Sequence, residues 1–144
     1  MLVVEDEERT AVLICRGLAV VVDADTGMLR QAVDNLLANA VRHAPPGTAV
    51  EVRAHRADAG TTAAVQVRDH SPGFPPEFLP HAFERFSRSD AARTRDHGGT
   101  GLGLAIAAAT THAHRGTVSA ANHPDGGAVA TLVLPTSDGF AATG

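Results

Sequence analysis

The chain has 144 residues, 44% of them hydrophobic and 19% charged, with a formal net charge of −4; that suits one globular domain with a real core. All twelve basic residues are Arg and the only aromatics are five Phe, so a mildly acidic chain without a basic, aromatic-laced face excludes a nucleic-acid binder. The single cysteine, Cys15, excludes an internal disulfide or a multi-cysteine zinc site, and no run reaches the about 18 apolar residues of a membrane helix.

At the start of the chain, Leu2-Val3-Val4 runs straight into Glu5-Asp6-Glu7-Glu8. That is the wrong flank for a secretory leader, so the cytoplasm is the expected compartment, without direct membrane insertion. Work at a membrane would need the chain to be part of, or recruited to, an anchored sensor. Cys15 fits a small buried apolar residue. The β-branched run at residues 20–22 predicts a strand that ends at Asp23-Ala24-Asp25-Thr26. Asp25 or Thr26 can cap a helix running to about His43, where Pro45-Pro46-Gly47 stops it. Residues 49–55 and 63–68 predict two strands joined by a turn-rich segment, the second alternating Val65 and Val67 with Gln66 and Arg68. Residues 69–80 read as loop and residues 83–99, polar and Arg-rich, as a mobile lid. A second helix is expected over residues 102–111, ending near Arg115-Gly116. Strands at 117–121 and 128–134 flank the turn His123-Pro124-Asp125-Gly126-Gly127, and residues 136–144 read as a flexible tail. Helices beside hairpin-connected strands imply an α/β fold, a two-layer sandwich with a mixed, mainly antiparallel sheet.

Three stretches could carry chemistry. On a helical wheel Leu29, Val33, Leu36, Leu37 and Ala40 gather on one face, with Gln31, Asn35, Asn39 and Arg42 opposite. Asn35 and Asn39 lie one turn apart on that polar stripe; by itself the stripe reads equally as a solvated face. Asp69-His70-Ser71-Pro72-Gly73 is a turn directly after a strand, where a carboxylate could accept from a nucleobase amine. Gly98-Gly99-Thr100-Gly101-Leu102-Gly103-Leu104 runs into an apolar helix, and glycine backbone at a helix start can approach phosphate closely. It is not a Walker loop, because a chain without Lys cannot supply that motif's lysine, and no tight strand–turn precedes it as in a dinucleotide fold.

In order and spacing, with Phe83-Glu84-Arg85-Phe86 between the second and third stretches, these segments resemble the ATP-binding domain of bacterial sensor histidine kinases. Residues 34–43 resemble that family's N box, 69–73 its G1 box, 83–86 its F box and 99–104 its G2 box. The resemblance spans residues 19–135 and implies the Bergerat ATP-binding fold, a sheet packed on about three helices with an ATP lid. It implies ATP and Mg²⁺ as cofactors. Asn39 would ligate the metal, a neutral hard oxygen suiting an ion that takes its other ligands from phosphates and water. Asn35, Arg42 and His43 would line the phosphate side. Asp69 would accept the adenine amino group, with Gly73 letting the loop pass close to the ring. Gly99, Thr100, Gly101, Leu102, Gly103 and Leu104 would fold over the triphosphate, one of Arg85, Arg88, Arg93 and Arg95 meeting phosphate. Phe83 and Phe86 would anchor the lid. Where the family usually has glycine, this chain has Ser71; that costs little at negative φ and about 1–2 kcal/mol at positive φ.

The resemblance also bears on the reaction. Gyrase-type relatives place a water-activating glutamate four residues before the metal-binding asparagine; here that position is Asn35, and an amide cannot act as a general base. Phosphoryl transfer to a histidine on a dimerising phosphoacceptor domain, with a response regulator downstream, is therefore expected over hydrolysis. None of the eight histidines here has the His-Glu-x-x-x-Pro-like setting of such an acceptor, so the acceptor is expected elsewhere, in a fuller chain or in trans. Residues 1–18 resemble the first strand and helix of a response-regulator receiver without the rest of one. They are expected to have no receiver function and to add an edge strand or helix to the sandwich. An anti-sigma-type serine kinase and a nucleotide-dependent interaction module, or a kinase relic, stay open as alternatives.

Overall fold

The computed structural model describes residues 2–7, 10–15, 18–57, 61–84 and 103–136, with side chains described at Val22 and from Ala24 onward. Three strands open the chain: β1 (Leu2–Glu7), β2 (Thr10–Cys15) and β3 (Leu18–Asp23). They form an antiparallel meander in the order β1-β2-β3. β1 is an edge strand, but of this separate three-stranded sheet and not of the four-stranded sheet of the sandwich to which an edge strand was expected to add. The helix of the receiver-like reading does not form: residues 10–15 are a strand. The reason is visible in Thr10-Ala11-Val12-Leu13-Ile14-Cys15, rich in β-branched residues and paired along its length with the equally β-branched β3.

The helix α1 (Thr26–His43) follows with the bounds its sequence implies. Asp25 caps it, its carboxylate accepting from Met28 N–H at 2.9 Å, and Arg42 and His43 sit in the last turn, where the helix dipole favours positive charge. Next come β4 (Glu51–Ala57) and β5 (Thr62–Arg68), then one turn of 3₁₀-helix at Leu79–His81 inside the expected loop. The helix α2 (Gly103–Ala113) leads to β6 (Thr117–Asn122) and β7 (Ala128–Pro135). The sandwich is as expected, with two refinements. The helical layer among the described residues is two α-helices and the 3₁₀ turn. The sheet, ordered β4-β5-β7-β6, is antiparallel throughout rather than mixed. Two tight hairpins cause this: the crossover through α2 would make a parallel pair only if β6 landed beside β5, and β7 takes that place. Thr136 belongs to the fold and not to the tail, being 1% exposed and bridged to Val22.

Burial alternates strictly along β7, whereas β5 buries Ala63, Ala64 and Val65 in succession. Ala130, Leu132 and Leu134 of β7 and Val65 and Val67 of β5 point to the helices, where they meet Leu29, Val33 and Leu36 of α1 and Ala107 of α2. Burying each Leu or Val side chain is worth about 1.5–3 kcal/mol, and this shared cluster orients α1. The end of α2 is a Schellman motif: Gly116 N–H donates to Thr111 O at 2.9 Å and Arg115 N–H to His112 O at 3.0 Å. Arg115 takes the left-handed conformation at φ 65°, and Gly116 is required because a Cβ there would collide with the Val133 carbonyl.

His114 joins the two helices. It is 7% exposed; its Nδ1 lies 2.8 Å from Thr110 O and its Nε2 accepts from Asp25 N–H at 3.2 Å. The start of α1 is thereby tied to the end of α2. Replacing His114 by Phe keeps the volume but leaves both backbone groups without that partner, at about 1–3 kcal/mol for each one left unsatisfied. His114→Phe should therefore unfold at lower urea concentration, by roughly 2–4 kcal/mol; a change under about 0.5 kcal/mol would mean the tie is not stabilising.

Candidate functional site

The polar stripe of α1 is only partly solvated. Gln31 and Arg42 are exposed, whereas Asn35 and Asn39 are half-buried, on the side of α1 away from Leu29, Val33 and Leu36. Asn35 faces the first residue of α2: a Cβ placed on Gly103 would lie 3.8 Å from Asn35 Oδ1. That is ordinary van der Waals distance, so α2 starts directly against the asparagine. Asn35 Nδ2 is buried and has no hydrogen-bond partner among the described residues. Buried donors are paired in the great majority of cases, and an unpaired one costs about 1–3 kcal/mol. An amide N–H2 held dry at a glycine-started helix is a donor suited to an anionic ligand oxygen.

Asp69 ends β5 and is 2% exposed. Its Oδ1 accepts from Ser71 N–H at 2.8 Å and from Ala128 N–H at 3.2 Å, while its own N–H donates to Ala128 O at 3.0 Å. One carboxylate oxygen is thus committed to the backbone, which fixes the side chain and leaves Oδ2 for a ligand. The loop then turns on Ser71, whose hydroxyl accepts from Gly73 N–H at 3.1 Å. Among described non-glycine residues only Arg115 has positive φ, so Ser71 sits at negative φ and its departure from glycine costs little. The loop-closing hydrogen bond is its return. Gly73 does need to be glycine: its φ is 95° and a Cβ would lie 2.7 Å from Asn122 Oδ1.

Sequence reasoning passed over the residues behind this loop. Asn122 pairs with Phe74 through 2.7 Å and 2.9 Å hydrogen bonds, Gly127 abuts the Asp69 carbonyl, and Arg68 Nη2 donates to Gly126 O at 2.9 Å. The turn 123–127 was legible as a turn, but nothing in a single sequence shows which loop it backs. Of the remaining candidates, Arg42 and His43 are exposed on the last turn of α1 and Phe83 is half-buried. Leu104 packs against the core cluster and so anchors α2. Phe86, Gly99, Thr100, Gly101 and Leu102, with Arg85, Arg88, Arg93 and Arg95 of the expected lid, lie outside the described residues. No group of three or more His, Cys, Asp or Glu gathers into a cage among the described residues; a cation drawn to Asn39 would bring its other ligands with the phosphates. No described helix is long and apolar enough to cross a membrane.

Comparison with known proteins gives the family and fold of the chain. The profile of the family described as "Histidine kinase-, DNA gyrase B-, and HSP90-like ATPase" matches residues 24–138. The chain is 47% identical over 115 residues to "Sensor histidine kinase component HK1" of Mycobacterium tuberculosis, covering 80% of this chain and 65% of that protein's length. Among solved structures, a mycobacterial sensor histidine kinase, MprB, superposes with a TM-score of 0.75 at 36% identity over 82% of this chain and 78% of that one. The ATP-binding domain of PrrB from Mycobacterium tuberculosis does so with a TM-score of 0.63 at 32% identity, over 85% and 76%.

If the Asn35 amide is kept for a ligand rather than for the fold, removing it should not harm the ligand-free protein. Asn35→Ala, unfolded by urea without nucleotide, should match the unaltered chain within about 0.5 kcal/mol or exceed it, since an unsatisfied buried donor is removed and alanine favours helix. A loss above about 1 kcal/mol would mark Asn35 as structural instead.

Proposed function

From the premise that the chain belongs to the histidine kinase-, DNA gyrase B- and HSP90-like ATPase family, we propose that it binds Mg-ATP and passes the γ-phosphoryl group to a histidine outside residues 1–144. The observation that carries this reading is the buried, unpartnered Asn35 amide beside Gly103. It is a donor waiting for an acceptor, at the position where a hydrolytic relative would need a base.

The residues divide the nucleotide between two ends. At the sheet end, Asp69 Oδ2 accepts from the adenine amino group, a hydrogen bond that a 6-oxo base cannot make. At the helix end, Asn35 donates to phosphate oxygen from the dry junction with Gly103, and the glycine-rich stretch supplies further N–H donors. Asn39 offers its carbonyl oxygen to Mg²⁺, which would supply charge neutralisation on the phosphates. Arg42 and His43, exposed at the end of the same helix, border that side. In the reaction the bond between the γ-phosphorus and the bridging oxygen to the β-phosphate breaks, a P–N bond forms to the incoming imidazole, and ADP leaves. With no base at position 35, water is not activated, and positioning and charge do the work. The histidine is expected in another segment or another chain; HK1, a relative whose name calls it a component, fits that arrangement. A response regulator would then receive the phosphoryl group.

Calorimetric titration with a non-hydrolysable Mg-ATP analogue should give micromolar to sub-millimolar affinity, weakened roughly tenfold or more by Asn39→Ala and by Asp69→Ala. Incubation with γ-labelled ATP and a helical hairpin bearing the acceptor histidine should then yield an acid-labile phosphoprotein. No binding at several millimolar would remove the ATP reading. Binding with an acid-stable product would point to serine phosphorylation, and binding with no transfer to any hairpin to a nucleotide-dependent interaction module.

A further inference from the structure

One residue pair in the β6–β7 hairpin holds both ends of the loop that carries Asp69. Asn122 and Ala128 face each other as the last register pair before the turn. On one side, Ala128 N–H donates to Asp69 Oδ1 at 3.2 Å. On the other, the Asn122 carboxamide meets Phe74 at two points: Oδ1 accepts from Phe74 N–H at 2.7 Å, and Nδ2 donates to Phe74 O at 2.9 Å. A side-chain amide bonded to both backbone groups of one residue acts like a one-residue ladder pair, fixing position and orientation together. Gly73 adds a steric stop, because its left-handed backbone lies so close that a Cβ would be 2.7 Å from Asn122 Oδ1.

We propose that Asn122 is a positioning residue for the adenine end of the site. It sets where the Gly73–Phe74 backbone lies relative to Asp69, and so controls affinity for the base without touching the nucleotide. The inference rests on the reading that Asp69 accepts the adenine amine. Asn122 is exposed and takes no part in the core cluster, so losing its two hydrogen bonds should release the loop while the core stays packed. The tilted contact between Phe74 and Phe78, ring centres 5.7 Å apart, carries the constraint on toward the 3₁₀ turn.

The test compares Mg-ATP with inorganic triphosphate, which lacks the base, on the unaltered chain and on Asn122→Ala, Asn122→Asp and Asp69→Asn. Asn122→Ala should weaken ATP roughly five- to thirtyfold while triphosphate changes by less than about twofold. Asn122→Asp keeps the size and the acceptor but loses the donor, and should fall between. Asp69→Asn should repeat the pattern of Asn122→Ala. ATP binding unchanged in Asn122→Ala but weakened in Asp69→Asn overturns the inference and leaves the site reading intact. ATP binding unchanged in Asp69→Asn overturns that reading, and this inference with it. Equal loss of both ligands, or loss of the thermal unfolding transition in both Asn122 variants, makes Asn122 a general fold residue and overturns the inference as well.

Discussion

A buried amide with no partner is the constraint around which the helical layer is arranged. Asn35 Nδ2 is buried against the start of α2 and has no acceptor among the described residues. At about 1–3 kcal/mol, such a group persists only if the helices cannot shift to hydrate it. They are prevented from both sides. Leu29, Val33 and Leu36 hold the opposite face of α1 in the core, and His114 ties the start of α1 to the end of α2. The alanines that α2 buries, among them Ala105 and Ala107, let the two helices pack closely. Core packing and an interhelical hydrogen bond thus hold the position of the donor that the proposed site uses.

The other end of the proposed site is built by different means. Asp69 is positioned by hydrogen bonds rather than by packing, with one oxygen shared between the Ser71 and Ala128 amides. Its loop depends on the β6–β7 hairpin, almost sixty residues later in the chain. Rigid strands carry the loop, and the loop carries the chemistry, a division in which the scaffold gives precision and the connection gives reach. A ligand spanning both ends of the proposed site would add a link between the helix pair and a hairpin that already packs against it.

How much of this the sequence discloses depends on how local the cause is. The bounds of α1 were readable because every determinant lies within it or beside it: the Asp25 cap, the apolar stripe, and Pro45 after the end. Strands β4 and β7 were readable to within two residues for the same reason. The Thr10–Cys15 segment misled because a likeness to another family's opening outweighed its own β-branched composition. The antiparallel sheet and the inclusion of Thr136 depend on which strand lands beside which, and periodicity is silent on that. In the site, residue types in order pointed to Asn35, Asn39, Asp69 and Gly73. The unpaired state of Asn35, the sign of φ at Ser71 and the Asn122 clamp are facts of three-dimensional juxtaposition, and the clamp links residues 48 apart.

The same juxtaposition argues for transfer over hydrolysis. The amide nitrogen at position 35 is buried, without a partner among the described residues. A carboxylate there would have its pKa raised by burial, which suits a general base. The amide that stands there instead cannot abstract a proton. A neutral donor stabilises phosphate charge but activates no nucleophile, so the nucleophile must arrive already competent, as a neutral imidazole does. The domain's own His114 cannot serve, since it is buried with both ring nitrogens engaged. If the proposed site binds phosphate through Asn35, its lack of a base suits it to holding nucleotide intact until a histidine arrives.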